Sequence, residues 1–78
     1  MKDTLTYIVS SIVANQDKIR IEEEETNGFV ELQIFVAKED IGRVIGKEGK
    51  IIRAIRNVMK IPAMKQNKKI TISVSEFE

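Results

Sequence analysis

Four residues, Gly46-Lys47-Glu48-Gly49, constrain this chain more than any other stretch of it. They lie between two segments with the hydrophobic spacing of helices, Ile41, Val44 and Ile45 before and Ile51, Ile52 and Ile55 after. Two glycines around two charged residues suit a tight turn whose backbone N–H groups face outward, because glycine adopts φ > 0 without a Cβ clash. Followed at once by a helix, such a turn can hold a phosphate. The unpaired N–H groups of the first helical turn and the positive end of the macrodipole meet there.

Composition narrows what such a turn can serve. With 78 residues the chain is one domain at most, spanning 1–78, and its core is only marginally sufficient. It has no cysteine and no histidine, so a disulfide framework, a cysteine-based zinc site and the commonest general base are all excluded. No converging acid–base or nucleophile set is left, and neither an enzyme nor a cofactor or metal site is expected. The start Met1-Lys2-Asp3-Thr4-Leu5 lacks the features of a secretory signal, and no apolar run approaches the length of a membrane span. A soluble cytoplasmic protein is the expectation. Net charge is only +1 but unevenly spread. Residues 1–40 hold four basic and nine acidic side chains, whereas residues 41–69 hold nine basic ones against Glu48 alone. A basic block that opens at the glycine turn points to an anionic partner, with a solvated helix face as the structural alternative.

The rest of the chain reads as α-β-β-α-α-β. Leu5, Ile8, Val9, Ile12 and Val13 predict a helix over 3–14, capped by Asp3 or Thr4, ended by Asn15, with Tyr7 half-buried. Lys18 to Glu22 alternates as a strand, and Glu22 to Glu25 is expected to form a solvated hairpin tip. Consecutive carboxylates on a strand alternate between faces and cannot converge on one ion. Asn27-Gly28 marks the hairpin turn. In the strand Phe29 to Ala37, Val30, Leu32, Ile34 and Val36 share one face, and Phe29 and Phe35 share the other. These two rings are candidates for a partner surface, or else pack on the first strand. Lys38 to Ile45 is a short helix with Glu39 and Asp40 at its dipole-favoured start. In the longer helix that follows, Ile51, Ile52, Ala54, Ile55, Val58 and Met59 are placed on the core side, and Arg53, Arg56 and Lys60 on the polar side. Pro62 is expected to stop or kink that helix near Lys60. After the polar connection Gln66-Asn67-Lys68, Ile70, Ile72 and Val74 alternate as a third strand.

Two phosphate-binding motifs fail against this order. A P-loop needs four residues between its glycines, but Gly42 and Gly46 are separated by three and Glu48 follows Lys47. A dinucleotide fingerprint needs a strand before its glycines, and here a helix stands there. The run Val44-Ile45-Gly46-Lys47-Glu48-Gly49-Lys50-Ile51-Ile52, set between two helices and bracketed by strands, resembles the KH domain. The element order is similar to its type II arrangement: an α+β fold with a three-stranded sheet packed on three helices. Length and the phrase Glu39-Asp40-Ile41-Gly42-Arg43-Val44-Ile45-Gly46-Lys47 resemble the small stand-alone KH proteins of the KhpA family. Lys38, where that family often has proline, and Ile61-Pro62-Ala63-Met64, in place of a more alanine-rich helix end, depart from it.

The resemblance implies a module that clamps the backbone of about four nucleotides of single-stranded RNA. Gly46 and Gly49 would admit the phosphates, Lys47 would add a point charge, and Glu48 would be exposed. Ile45 and Ile52 are candidates for the groove floor, or for core packing. Arg43, Lys50, Arg53 and Arg56 are candidates for the rim, or are simply solvated. A backbone clamp suits single-stranded DNA as well; it is the resemblance that implies RNA. With few aromatic side chains to stack bases, one copy is expected to bind weakly, and two modules together usefully. KhpA-like proteins are associated with self-association and with a larger KhpB (Jag) partner, and the expected role is that of a post-transcriptional regulator or RNA chaperone. The alternative is a protein-interaction subunit whose KH fold mainly mediates homo- or hetero-dimerisation.

Overall fold

Side-chain alternation in residues 29–36 decides where the core lies. In the computed structural model, which describes residues 1–78, this segment is the central strand β2 (Phe29–Val36). Val30, Leu32, Ile34 and Val36 are fully buried on one face. Before it come α1 (Lys2–Ile12) and β1 (Ile19–Thr26); after it come α2 (Ile41–Ile45), α3 (Lys50–Lys65) and β3 (Lys69–Glu76). A short 3-10 turn occupies Lys38–Asp40, and a tight turn with left-handed residues occupies Lys47–Gly49. The observed order is α-β-β-α-α-β, an α+β fold.

β1 pairs antiparallel to β2 through a two-residue turn in which Asn27 and Gly28 have φ 51° and 78°. β3 pairs parallel to β2, from Phe29↔Lys69 to Val36↔Glu76. Parallel neighbours need a crossover. Here α2 and α3 supply it, so the glycine turn lies in the middle of the crossover. The helices cover one face of the sheet and close a core of Leu5, Val9, Leu32, Ile34, Val44, Met59 and their neighbours. Burying such side chains contributes about 1.5–3 kcal/mol each.

Several expectations are corrected. Tyr7 is not half-buried but 72% exposed, because it lies on the side of α1 away from Leu5 and Val9. No side chain caps α1, which begins after Met1 and ends at Val13 in extended conformation. Strand β1 continues through Glu22–Glu25 to Thr26, so the carboxylate run is paired strand with solvated side chains rather than a tip. Pro62 does not stop α3. The helix passes through it to Lys65 and loses only the bond that the missing N–H would have made to Val58. The stop is Asn67 at φ 55°: Lys68 N–H donates to the Ala63 carbonyl (2.8 Å) and Asn67 N–H to that of Met64 (3.1 Å). This is the left-handed closure common at helix ends. Finally, α3 turns only Ile52, Ile55, Met59 and Ala63 inward. Ile51, Ala54 and Val58, expected on the core side, are exposed.

Candidate nucleic-acid interface

The glycine turn has a defined backbone. Gly46 adopts φ 77°, ψ 171°, a region closed to residues with a Cβ. Lys50 N–H then donates to the Lys47 carbonyl across Glu48 (57°, 24°) and Gly49 (72°, 18°). These are the angles of a type I′ turn, with both central residues left-handed. Gly49 accepts this freely; Glu48 holds it at a cost of about 1–2 kcal/mol.

Arg53 holds the turn from below. Its Nη2 donates to the Glu48 carbonyl at 2.7 Å and its Nε to the Gly49 carbonyl at 3.3 Å. The guanidinium thus engages the acceptor side of the loop. Arg53, a rim candidate from its sequence position, is a brace here. Sequence spacing carried no signal for this, because a long side chain one turn into a helix can project or fold back.

The first turn of α3 carries no acid and no side-chain cap, and it carries Lys50. A cation at a helix N-terminus opposes the macrodipole by about 0.3–1 kcal/mol. The same arrangement raises the local positive potential for an anion. Lys47 and Lys50 are exposed and make no ion pair; Arg56 is half-buried and also unpaired. Arg43 differs, since its Nε lies 3.3 Å from Asp40 Oδ1 and part of its charge is neutralised. Ile52 is half-buried against the core, whereas half-buried Ile45 stands outside the core cluster beside the loop.

Asp40, expected as a helix-dipole acid, does something else. It is only 1% exposed, and its carboxylate accepts the backbone N–H groups of Ala14 and Asn15 and the Asn15 side-chain amide, each at 3.0 Å. The Ala14 N–H does most to hold its pKa below the usual carboxylate range. Burial opposes this, and the Asn15 bonds and Arg43 add to it. The start of α2, and with it the loop, is thereby tied to the α1–β1 connection.

Phe29 and Phe35 share the outer sheet face but do not meet. Six residues on one strand separate them by about 20 Å. The Arg20 guanidinium lies 4.4 Å from the Phe35 ring centroid and 5.7 Å from that of Phe77. Phe29 is 45% exposed at the far end, where β2 and β3 begin. A larger apolar surface is on α3: Ile51, Ala54, Val58 and Ile61 run at spacings of three, four and three. Beside them, Ile8 and Ile12 of α1 complete a groove of about 410 Å³.

No helix is long and apolar enough to cross a membrane. Proteins similar to nearly the whole chain are known. An RNA-binding protein KhpA of Chlamydia caviae is 37% identical over 97% of both chains. Another, of Clostridium acetobutylicum, is 39% identical over 95% of this chain and 99% of its own. A third, of Listeria monocytogenes, is 37% identical over 97% of this chain and its entire own length. Residues 2–74, from α1 through most of β3 and including the braced glycine turn, match the family described as KhpA/KhpB, KH domain, and the chain belongs to that family.

Proposed function

We propose that this chain binds single-stranded RNA at the Gly46–Gly49 loop, without enzymatic activity, as a post-transcriptional regulator or RNA chaperone. One observation carries the reading. A strained, Arg53-braced turn sits at the uncapped start of α3, among cations without acidic partners. A phosphate there meets the helix dipole, the Lys47 and Lys50 ammonium groups, and a backbone with no Cβ at Gly46 or Gly49 to keep it away. Relatives named RNA-binding proteins support RNA as the strand.

Short-RNA anisotropy tests this with Lys47→Asp combined with Glu48→Asp, which keeps both glycines. About three phosphate contacts predict a roughly twentyfold loss of wild-type affinity between 50 and 200 mM salt. The double variant is expected to lose at least about tenfold at 50 mM salt and to show a shallower salt dependence. Unchanged binding in the variant sinks the loop as the clamp.

Weak single-site binding becomes useful when two loops act on one RNA. The Ile51-Ala54-Val58-Ile61 stripe favours self-association, because its spacing is that of a coiled-coil seam and can pair with its own copy about a two-fold axis. A KhpB/Jag-like chain is the other candidate for this face. Light scattering is expected to find a dimer for wild type and a monomer for Val58→Glu. The monomer should keep its affinity for a tetranucleotide but bind longer RNA less tightly. An interaction subunit with no RNA role is the second reading; the same stripe favours it, and an RNA affinity indifferent to the loop would select it.

A further inference from the structure

At the end of α3 away from the glycine loop, a half-open cavity of about 420 Å³ lies between α3 and the starts of β2 and β3, and the clamp does not use it. Its apolar wall is Phe29, Met64 and Ile70, and Lys60 and Lys69 stand at its margin. Lys68 also lines it, but its Nζ is committed to Glu25 Oε1 at 2.7 Å. Lys60 and Lys69 have no acidic partner.

Topology places this cavity at the end of a track. β3 starts where α3 ends, so the beginning of β3 lies at the end of the crossover farthest from the loop. On α3, Ile52, Arg56 and Lys60 form one i, i+4, i+8 row. Ile52 and Arg56 belong to the candidate floor and rim, and Lys60 belongs to the cavity. The distance is short: about 15 Å of helix separates Lys50 from Lys60. A backbone held at Gly46–Gly49 and continuing over Arg56 would reach Lys60, at the margin of the cavity that Phe29 also lines.

The geometry points to a second nucleotide subsite here, in which an unpaired base of the bound strand stacks on Phe29 while Lys60 and Lys69 meet its phosphates. The inference rests on the clamp proposed above and extends it by one or two nucleotides. A mostly aromatic and aliphatic wall flanked by two free cations suits a base with its phosphate. It suits a free phosphate less well, because that would leave the ring unused. Stacking on one aromatic ring is worth at least about fivefold in affinity per base.

Oligouridylates of four, six and eight nucleotides, titrated by anisotropy against full-length protein, test it. Wild type is expected to gain at least about fivefold between four and eight nucleotides beyond the statistical increase in registers. Phe29→Ala should leave the tetranucleotide affinity unchanged and abolish the gain, and Phe29→Tyr should restore it. Lys60→Gln with Lys69→Gln should lower the salt slope for the octanucleotide by about 1.4, twice the single-strand value per contact, and leave the tetranucleotide slope unchanged. Phe29 opens β2 and is exposed, so the alanine variant is expected to fold, as a thermal melt would verify. Tetranucleotide binding with no gain at eight, or equal losses at both lengths in Phe29→Ala, overturns the subsite and leaves the clamp standing. No binding at any length overturns both.

Discussion

Replacing Gly46 by alanine is expected to bring the chain to about the midpoint of unfolding at 25 °C. Two costs coincide at this position. Its φ of 77° with ψ 171° is a region that only glycine occupies readily, worth about 1–3 kcal/mol. A Cβ placed there would also lie 2.5 Å from Ile51 Cγ1, 2.8 Å from Ile51 Cβ and 2.9 Å from Ile51 Cδ1. The γ and δ carbons can rotate away, but the Cβ is fixed by the backbone of α3, so the helix itself has to shift. Overpacking of that kind costs about 1–3 kcal/mol more. The sum, about 4 kcal/mol, is comparable to the whole stability of a domain this small, about 3–5 kcal/mol.

Gly49→Ala supplies the control. Its φ is 72°, yet a Cβ there would have only Ile52 Cγ2 within reach, at 3.9 Å. Backbone strain of about 1–2 kcal/mol is then the full effect. Urea unfolding followed by circular dichroism should therefore separate the two glycines by at least about 2 kcal/mol. Ile51→Ala should rescue Gly46→Ala only in part, since it removes the γ and δ carbons and leaves the Cβ in place. Equal effects at the two glycines would show that Ile51 does not press on the turn.

Features that depend on adjacent residues were legible in the sequence. Asn27-Gly28 announces its hairpin because both residues tolerate φ > 0, and the alternation of Val30, Leu32, Ile34 and Val36 announces a strand with one buried face. The glycine turn was legible because Gly46 and Gly49 both sit at positive φ, 77° and 72°, which glycine adopts without a Cβ clash. What escaped was decided by distant residues or by competition. Pro62 looked like the end of α3, yet Asn67 closes the helix five residues later and the buried Ala63 holds the last turn to the core. Along α3, the Ile52-Ile55-Met59 row and the Ile51-Ala54-Val58 row are both apolar. A helix apolar over more than half its circumference does not announce which row is the core. Position relative to α1 decides it: Ile55 is buried beside the Ile8–Ile12 edge, and Val58, 47% exposed, lies just beyond.

Asp40 is the clearest case of a role invisible to local reading, since its partners Ala14 and Asn15 lie 26 and 25 residues away. Removing its side chain leaves two backbone donors and the Asn15 amide without their acceptor, and frees the start of α2 from the α1–β1 connection. For Asp40→Ala the melting temperature at neutral pH is expected to fall by about 10 °C. Asp40→Asn should fare little better. Its single carbonyl oxygen replaces two acceptors, and its amide turns donors toward donors. The pH dependence identifies the ionised form as the one that matters. The folded-state pKa is depressed, so the stabilisation is complete above the ordinary carboxylate value of about 3.9 and is lost as pH falls through the lower folded value. The gap in melting temperature between wild type and Asp40→Asn should be level above about pH 5 and narrow steadily below about pH 4. A gap that stays constant into strong acid would mean that the packing of the group, and not its charge, ties α2 and the glycine loop to the rest of the fold.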